Sequence, residues 1–113
     1  MANTFKVKTK ASVATSLATI YTVPSSTTTV ILGLTLANKT TSAITCDVQL
    51  VSDTSDTETN ADVMLLKGTT IPANSTLEVF GGQKIVLQTT DVVKALASTA
   101  TALDVALSIM EIT

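Results

Sequence analysis

The sequence predicts an all-β domain: a single antiparallel β-sandwich, jelly-roll-like, of about eight strands with an N-terminal arm. Three observations predict it. Apolar residues alternate with period two in segment after segment, and turn residues separate those segments at the spacing of a sandwich or barrel. Threonine, which packs well on a pleated surface and keeps a hydroxyl for water, is spread along the whole chain.

Taken in order, residues 1–16 are polar and carry Lys6, Lys8 and Lys10 at alternate positions, so they read as an arm or an edge strand. Residues 17–113 hold the sandwich. A short strand over 19–23 is ended by Pro24-Ser25-Ser26, because proline fixes φ and cannot donate to a ladder. Residues 28–38 place Val30, Leu32, Leu34 and Leu36 on one face. After the polar connection 38–42, residues 43–51 set Ile44, Cys46, Val48 and Leu50 against Thr45, Asp47 and Gln49. Further strands are expected at 61–67, 76–80, 84–88 and 92–98. Pro72-Ala73-Asn74-Ser75 reads as a turn, and Gly81-Gly82 reads as a hairpin joining 77–80 to 84–88. The closing strand, 103–112, alternates Leu103, Val105, Leu107 and Ile109 with Asp104, Ala106 and Ser108. The rival over 91–106 is a helix, but Ser98, Thr99 and Thr101 interrupt it and the alternation is clearer than a 3.6-residue repeat.

A chain of 113 residues fits one domain, and 45% hydrophobic content excludes general disorder. Only 14% of residues are charged, so hydroxyls carry much of the solubility. The net charge is −2, all seven basic residues are lysines, and there is no Arg, His or Trp. Nucleic-acid recognition leans on Arg forks, dense basic patches or stacking aromatics, and Phe5, Tyr21 and Phe80 do not build such a surface. No nucleic-acid partner is expected. Cys46, the single cysteine, cannot form an intrachain disulfide, and its phase with Ile44 and Val48 predicts a buried thiol. No segment has the apolar run of a signal peptide or a membrane helix, so synthesis in the cytoplasm and no membrane partner are expected.

Nucleophilic catalysis of the Ser/His or Cys/His kind needs an imidazole, and zinc sites need Cys and His together; this chain has no His. No catalytic residue, cofactor or metal site is expected, and the chain is read as a non-enzyme. In the acidic stretch 52–62, which carries Asp53, Asp56, Glu58 and Asp62, residues Asp56, Glu58, Asn60 and Asp62 alternate oxygen ligands, but there is no Gly. Counting twelve from Asp53 or Asp56 reaches Met64 or Lys67 where a calcium loop needs Glu, so a solvated hairpin loop is the reading. Asn38-Lys39-Thr40 and Asn74-Ser75-Thr76 match a glycosylation pattern but read more simply as turns. Lys6, Lys8 and Lys10 admit two readings. They are a solvated strand edge that discourages aggregation, or a cationic arm reaching an acidic surface such as Asp53, Asp56, Glu58 and Asp62 of a neighbouring copy.

The order of elements supplies one more expectation. Ala18-Thr19-Ile20-Tyr21-Thr22-Val23-Pro24-Ser25 leads into the strand 30–38, then Asp47-Val48-Gln49-Leu50, Ile71-Pro72-Ala73-Asn74-Ser75-Thr76-Leu77 and Leu107-Ser108-Ile109-Met110-Glu111-Ile112. Over residues 17–113 this resembles small β-sandwich virion proteins of tailed bacteriophages, particularly those of marine cyanophages and their relatives. Related sequences often carry Gly and a basic residue after the Pro-Ser pair, where this chain has Ser26 and Thr27. The resemblance implies a virion component. It would be a capsid decoration or cement protein contacting the major capsid protein or other virion proteins, or else a neck, tail or fibre-associated subunit. A homo-oligomer such as a trimer is expected with it. A carbohydrate-binding module is the third reading, weakened because sugar sites stack their ligand on exposed Trp or Tyr and the chain has one Tyr.

Overall fold

The computed structural model describes residues 2–52 and 60–113, and among them every regular element is a strand. These are β1 (Asn3–Lys10), β2 (Ala18–Thr22), β3 (Thr28–Asn38), β4 (Ile44–Val51), β5 (Val63–Ile71), β6 (Thr76–Glu78), β7 (Ile85–Leu87), β8 (Val92–Ala97) and β9 (Leu103–Ile112). One sheet runs β1-β9-β3, with β6 and β7 both alongside β3; the other runs β2-β8-β4-β5. All pairs are antiparallel.

The pairing explains the topology. With β6 and β7 taken as one interrupted strand, first pairs with last, second with second-to-last, and so inward to β4 with β5. That is a chain-long hairpin rolled up so that successive strand pairs fall into alternate sheets, which is jelly-roll order. The expected sandwich is therefore observed, and the helix rival over 91–106 resolves into β8, a turn and β9. The ends of the hairpin meet: Ala2 N–H donates to Thr113 O (3.1 Å) and Thr113 N–H to Ala2 O (2.9 Å).

Two expectations are corrected. Gly81-Gly82 is not a hairpin between β6 and β7. Those strands lie end to end along β3, β6 on Thr35–Ala37 and β7 on Thr29–Ile31. The two glycines adopt positive φ (45° and 95°), which lets the chain step aside and rejoin the same edge.

The second correction concerns the phase of β3. Its register on β9 skips between Ile31 and Gly33, and this bulge exchanges the two faces. Leu34 and Leu36 point inward as expected, but before the bulge Thr29 and Ile31 are the buried residues, and Val30 and Leu32 are not.

The core fills the space between the sheets with Ile31, Leu34 and Leu36 from β3, Leu103, Val105, Leu107 and Ile109 from β9, and Ile44, Cys46, Val48, Val93 and Ala95 from the facing sheet. Cys46 is fully buried, and burial followed by the neighbouring Asp47 charge pushes its thiol up to about 11. Opposite Asp47, β5 bulges at Gly68, whose φ is +60°. The Asp47 carboxylate accepts from Gly68 N–H (2.7 Å) and Lys67 Nζ (3.0 Å), and these hold it below the usual carboxylate range, the backbone bond first. Asn38 closes the other end. Its buried amide donates to the carbonyls of Ser42, Ile71 and Pro72 and accepts from Thr40 N–H and Oγ1. The two glycosylation-like triplets thus begin at a strand end and in a turn, Asn38 closing β3 inside this network and Asn74 at a positive φ of 56°.

Candidate functional site

Of the candidate contact residues, Lys6, Lys8 and Lys10 lie on β1 of the larger sheet. β1 is an edge strand paired with β9 on one side only. Lys6, Lys8 and Lys10 stand opposite Ile109, Leu107 and Val105, so the lysines share the core-facing side of the sheet. They lie at its margin. Charges turned inward on an edge strand make it a poor template for another chain, as the edge reading of these lysines requires.

Lys6 has a partner within the chain. Its Nζ lies 2.7 Å from Glu111 Oε1, and Tyr21 Oη donates to Glu111 Oε2 at 2.6 Å. Tyr21 Oη also lies 2.8 Å from Thr29 Oγ1. Glu111 continues the inward phase of β9 beyond Ile109, and its side chain is only 7% exposed while that of Lys6 is 42% exposed. The cluster joins β1, β9 and β3 of one sheet to β2 of the other. Lys6, then the Tyr21 hydroxyl, holds the Glu111 carboxyl below its ordinary value, and Lys8 adds to this. Burial first, then the bond to Glu111, pushes the Tyr21 phenol up to about 12. Because Tyr21 is buried, it offers no face for stacking a sugar.

Of the acidic stretch, Asp53, Asp56 and Glu58 lie outside the described residues. Asp62 is exposed, and its Oδ1 accepts from Ser52 N–H at 3.3 Å. Asn60 Nδ2 and Asp91 Oδ1 meet the buried Ser52 Oγ at 3.1 Å each, which ties Asn60 and Ser52 to the residue that precedes β8. Among the described residues no group of three or more Cys, Asp or Glu is arranged to hold a metal ion, and no buried side-chain polar atom lacks a partner.

The outward side of the same sheet carries an apolar row, and sequence reasoning missed it. Phe5 pairs with Met110, Met110 with Val30, and Val30 with Val86, forming one row across four strands. Phe5 is 71% exposed, and Val7 and Val86 are each 61% exposed. Thr9, Ala106, Thr35 and Ala37, further along the strands, line a shallow hollow of about 270 Å³ with Ala11 and Asp104 at its rim. Between ridge and hollow runs a row of Val7, Ser108 and Gly33, and a Cβ added at Gly33 would meet nothing within 4 Å. The signal for this face was a glycine inside a strand pattern, which marks a bulge and so a change of phase.

No protein-family model matches the chain, and no curated protein matches it in sequence. Among solved structures, a chain of the Bacillus endospore appendages, described as a novel family of disulfide-linked pili, is similar over 99% of this chain and 87% of that one. The TM-score is 0.52 and the identity 14%. At that identity the likeness is one of fold, a sandwich with the same general course of the chain.

Proposed function

We propose that this chain is a non-enzymatic structural subunit of a bacteriophage particle, a capsid decoration or cement protein that works through protein contacts. The observation that carries the reading is the uncovered outer face of the larger sheet. It presents a four-strand apolar row whose end residues are largely exposed. Large apolar patches of this kind mark surfaces that another protein covers. The resemblance of residues 17–113 to small virion proteins supplies the particle, and a jelly-roll sandwich is a frame compatible with that use. The structural neighbour builds disulfide-linked pili; a disulfide-linked assembly of this chain would have to draw on Cys46, which is fully buried.

The test is quantitative protein analysis of purified particles from a phage carrying this sequence. Hundreds of copies per particle, in fixed ratio to the major capsid protein, are expected. A few copies or a few tens would move the subunit to the neck or tail, and absence from the particle would refute the proposal.

A further inference from the structure

We infer that the outer face of the larger sheet is a self-complementary interface, and that its occupant is a second copy of this chain related by a two-fold axis across the strands. This deepens the proposed function, on which it rests. An isologous interface requires that whatever one part of a patch presents, another part of the same patch receives. The outer face meets that condition. Its ridge (Phe5, Met110, Val30, Val86) and its hollow (Thr9, Ala106, Thr35) lie on opposite sides of the Val7-Ser108-Gly33 row, in the same strands. A two-fold axis along that middle row places Met110 over the partner's Ala106, Phe5 over the partner's Thr9, and Val30 over the partner's Thr35. Ser108 and Gly33, both small, then meet their own copies at the middle of the axis, and the exposed Val7 meets its own copy at the β1 end.

The area agrees with this occupant. Strands of 10 and 11 residues across four columns give a face of about 33 Å by about 19 Å, or about 600 Å² of plane per copy. Two such faces bury about 1,200 Å² before side-chain relief is added, at the lower bound of stable specific interfaces.

Sedimentation equilibrium of the full chain should show a monomer–dimer equilibrium. Ser108→Lys, an exposed position on the axis, should weaken the dimer by about a hundredfold or more by setting like charges together, and leave the monomer's thermal midpoint unchanged. With a bismaleimide about 10 Å long, matching the separation of packed sheets, Ser108→Cys should cross-link to its own copy. Asn3→Cys, four residues from the axis row and so about 26 Å from its mate, should not. A chain that stays monomeric at millimolar concentration, or a dimer in which Asn3→Cys cross-links as readily as Ser108→Cys, would overturn the inference. Particle binding is scored separately: a monomeric chain present on particles refutes the two-fold pair and spares the proposed function. A dimer absent from particles does the reverse.

Discussion

Glu111→Gln tests the internal electrostatics of the sandwich with little change of shape. The substitution keeps an acceptor for Tyr21 Oη but turns a charge-assisted bond into a neutral one, which loses about 1 kcal/mol. It also removes the attraction to Lys6. Since the Lys6 side chain is 42% exposed, solvent screens that pair and its share is about 0.5–1 kcal/mol. The expected loss at neutral pH is about 1.5–2 kcal/mol, or roughly 6–10 °C in thermal midpoint for a domain of this size. Urea unfolding followed by the emission of Tyr21, the single tyrosine in a chain without tryptophan, reads it directly.

The pH dependence gives a second arm to the same experiment. Glu111 is held below its ordinary value in the folded state, so its stabilisation is complete above the unfolded-state value of about 4.3. It fades as pH falls from there through the folded value, so the gap between wild type and Glu111→Gln should close in acid. Equal stabilities at pH 7, or a gap that persists unchanged at pH 2, would refute the assignment of Glu111 as a stabilising buried carboxylate.

Three other outcomes are expected. Asn38→Ala should cost about 2–4 kcal/mol in urea unfolding, because it strips partners from the Ser42, Ile71 and Pro72 carbonyls and from Thr40 at once. Native Cys46 should resist a thiol reagent at neutral pH and react in step with global unfolding, since it is fully buried and its thiol is pushed up to about 11. The Tyr21 phenolate should not form, by ultraviolet absorbance, until pH approaches 12; because the folded value is raised, the stability tied to it is complete below pH 10 and lost between there and about 12.

Alternation over ten or more residues made β3 and β9 legible to the residue, and the turn at Pro24 marked the end of β2. Phase was harder. Val30-Ile31-Leu32 is apolar at three consecutive positions, so either face satisfies the pattern, and only the bulge before Gly33 decides. Gly81-Gly82 misled for a related reason, since positive φ serves a hairpin and an edge interruption equally well. Lys6, Lys8 and Lys10 were visible as an alternating set, but which side of the sheet they occupy depends on pairing with residues about a hundred positions away. The same separation hid Glu111, whose partners Lys6 and Tyr21 come from the other end of the chain.

The meeting of Ala2 with Thr113 has a consequence in time as well as in space. β1 has no sheet to join until residues 103–112 have emerged from the ribosome, and the row from Phe5 to Val86 draws on both ends of the chain. A half-synthesised chain therefore carries no finished outer face. Any contact made through that face must wait until residues 103–112 are available to pair with β1 and β3.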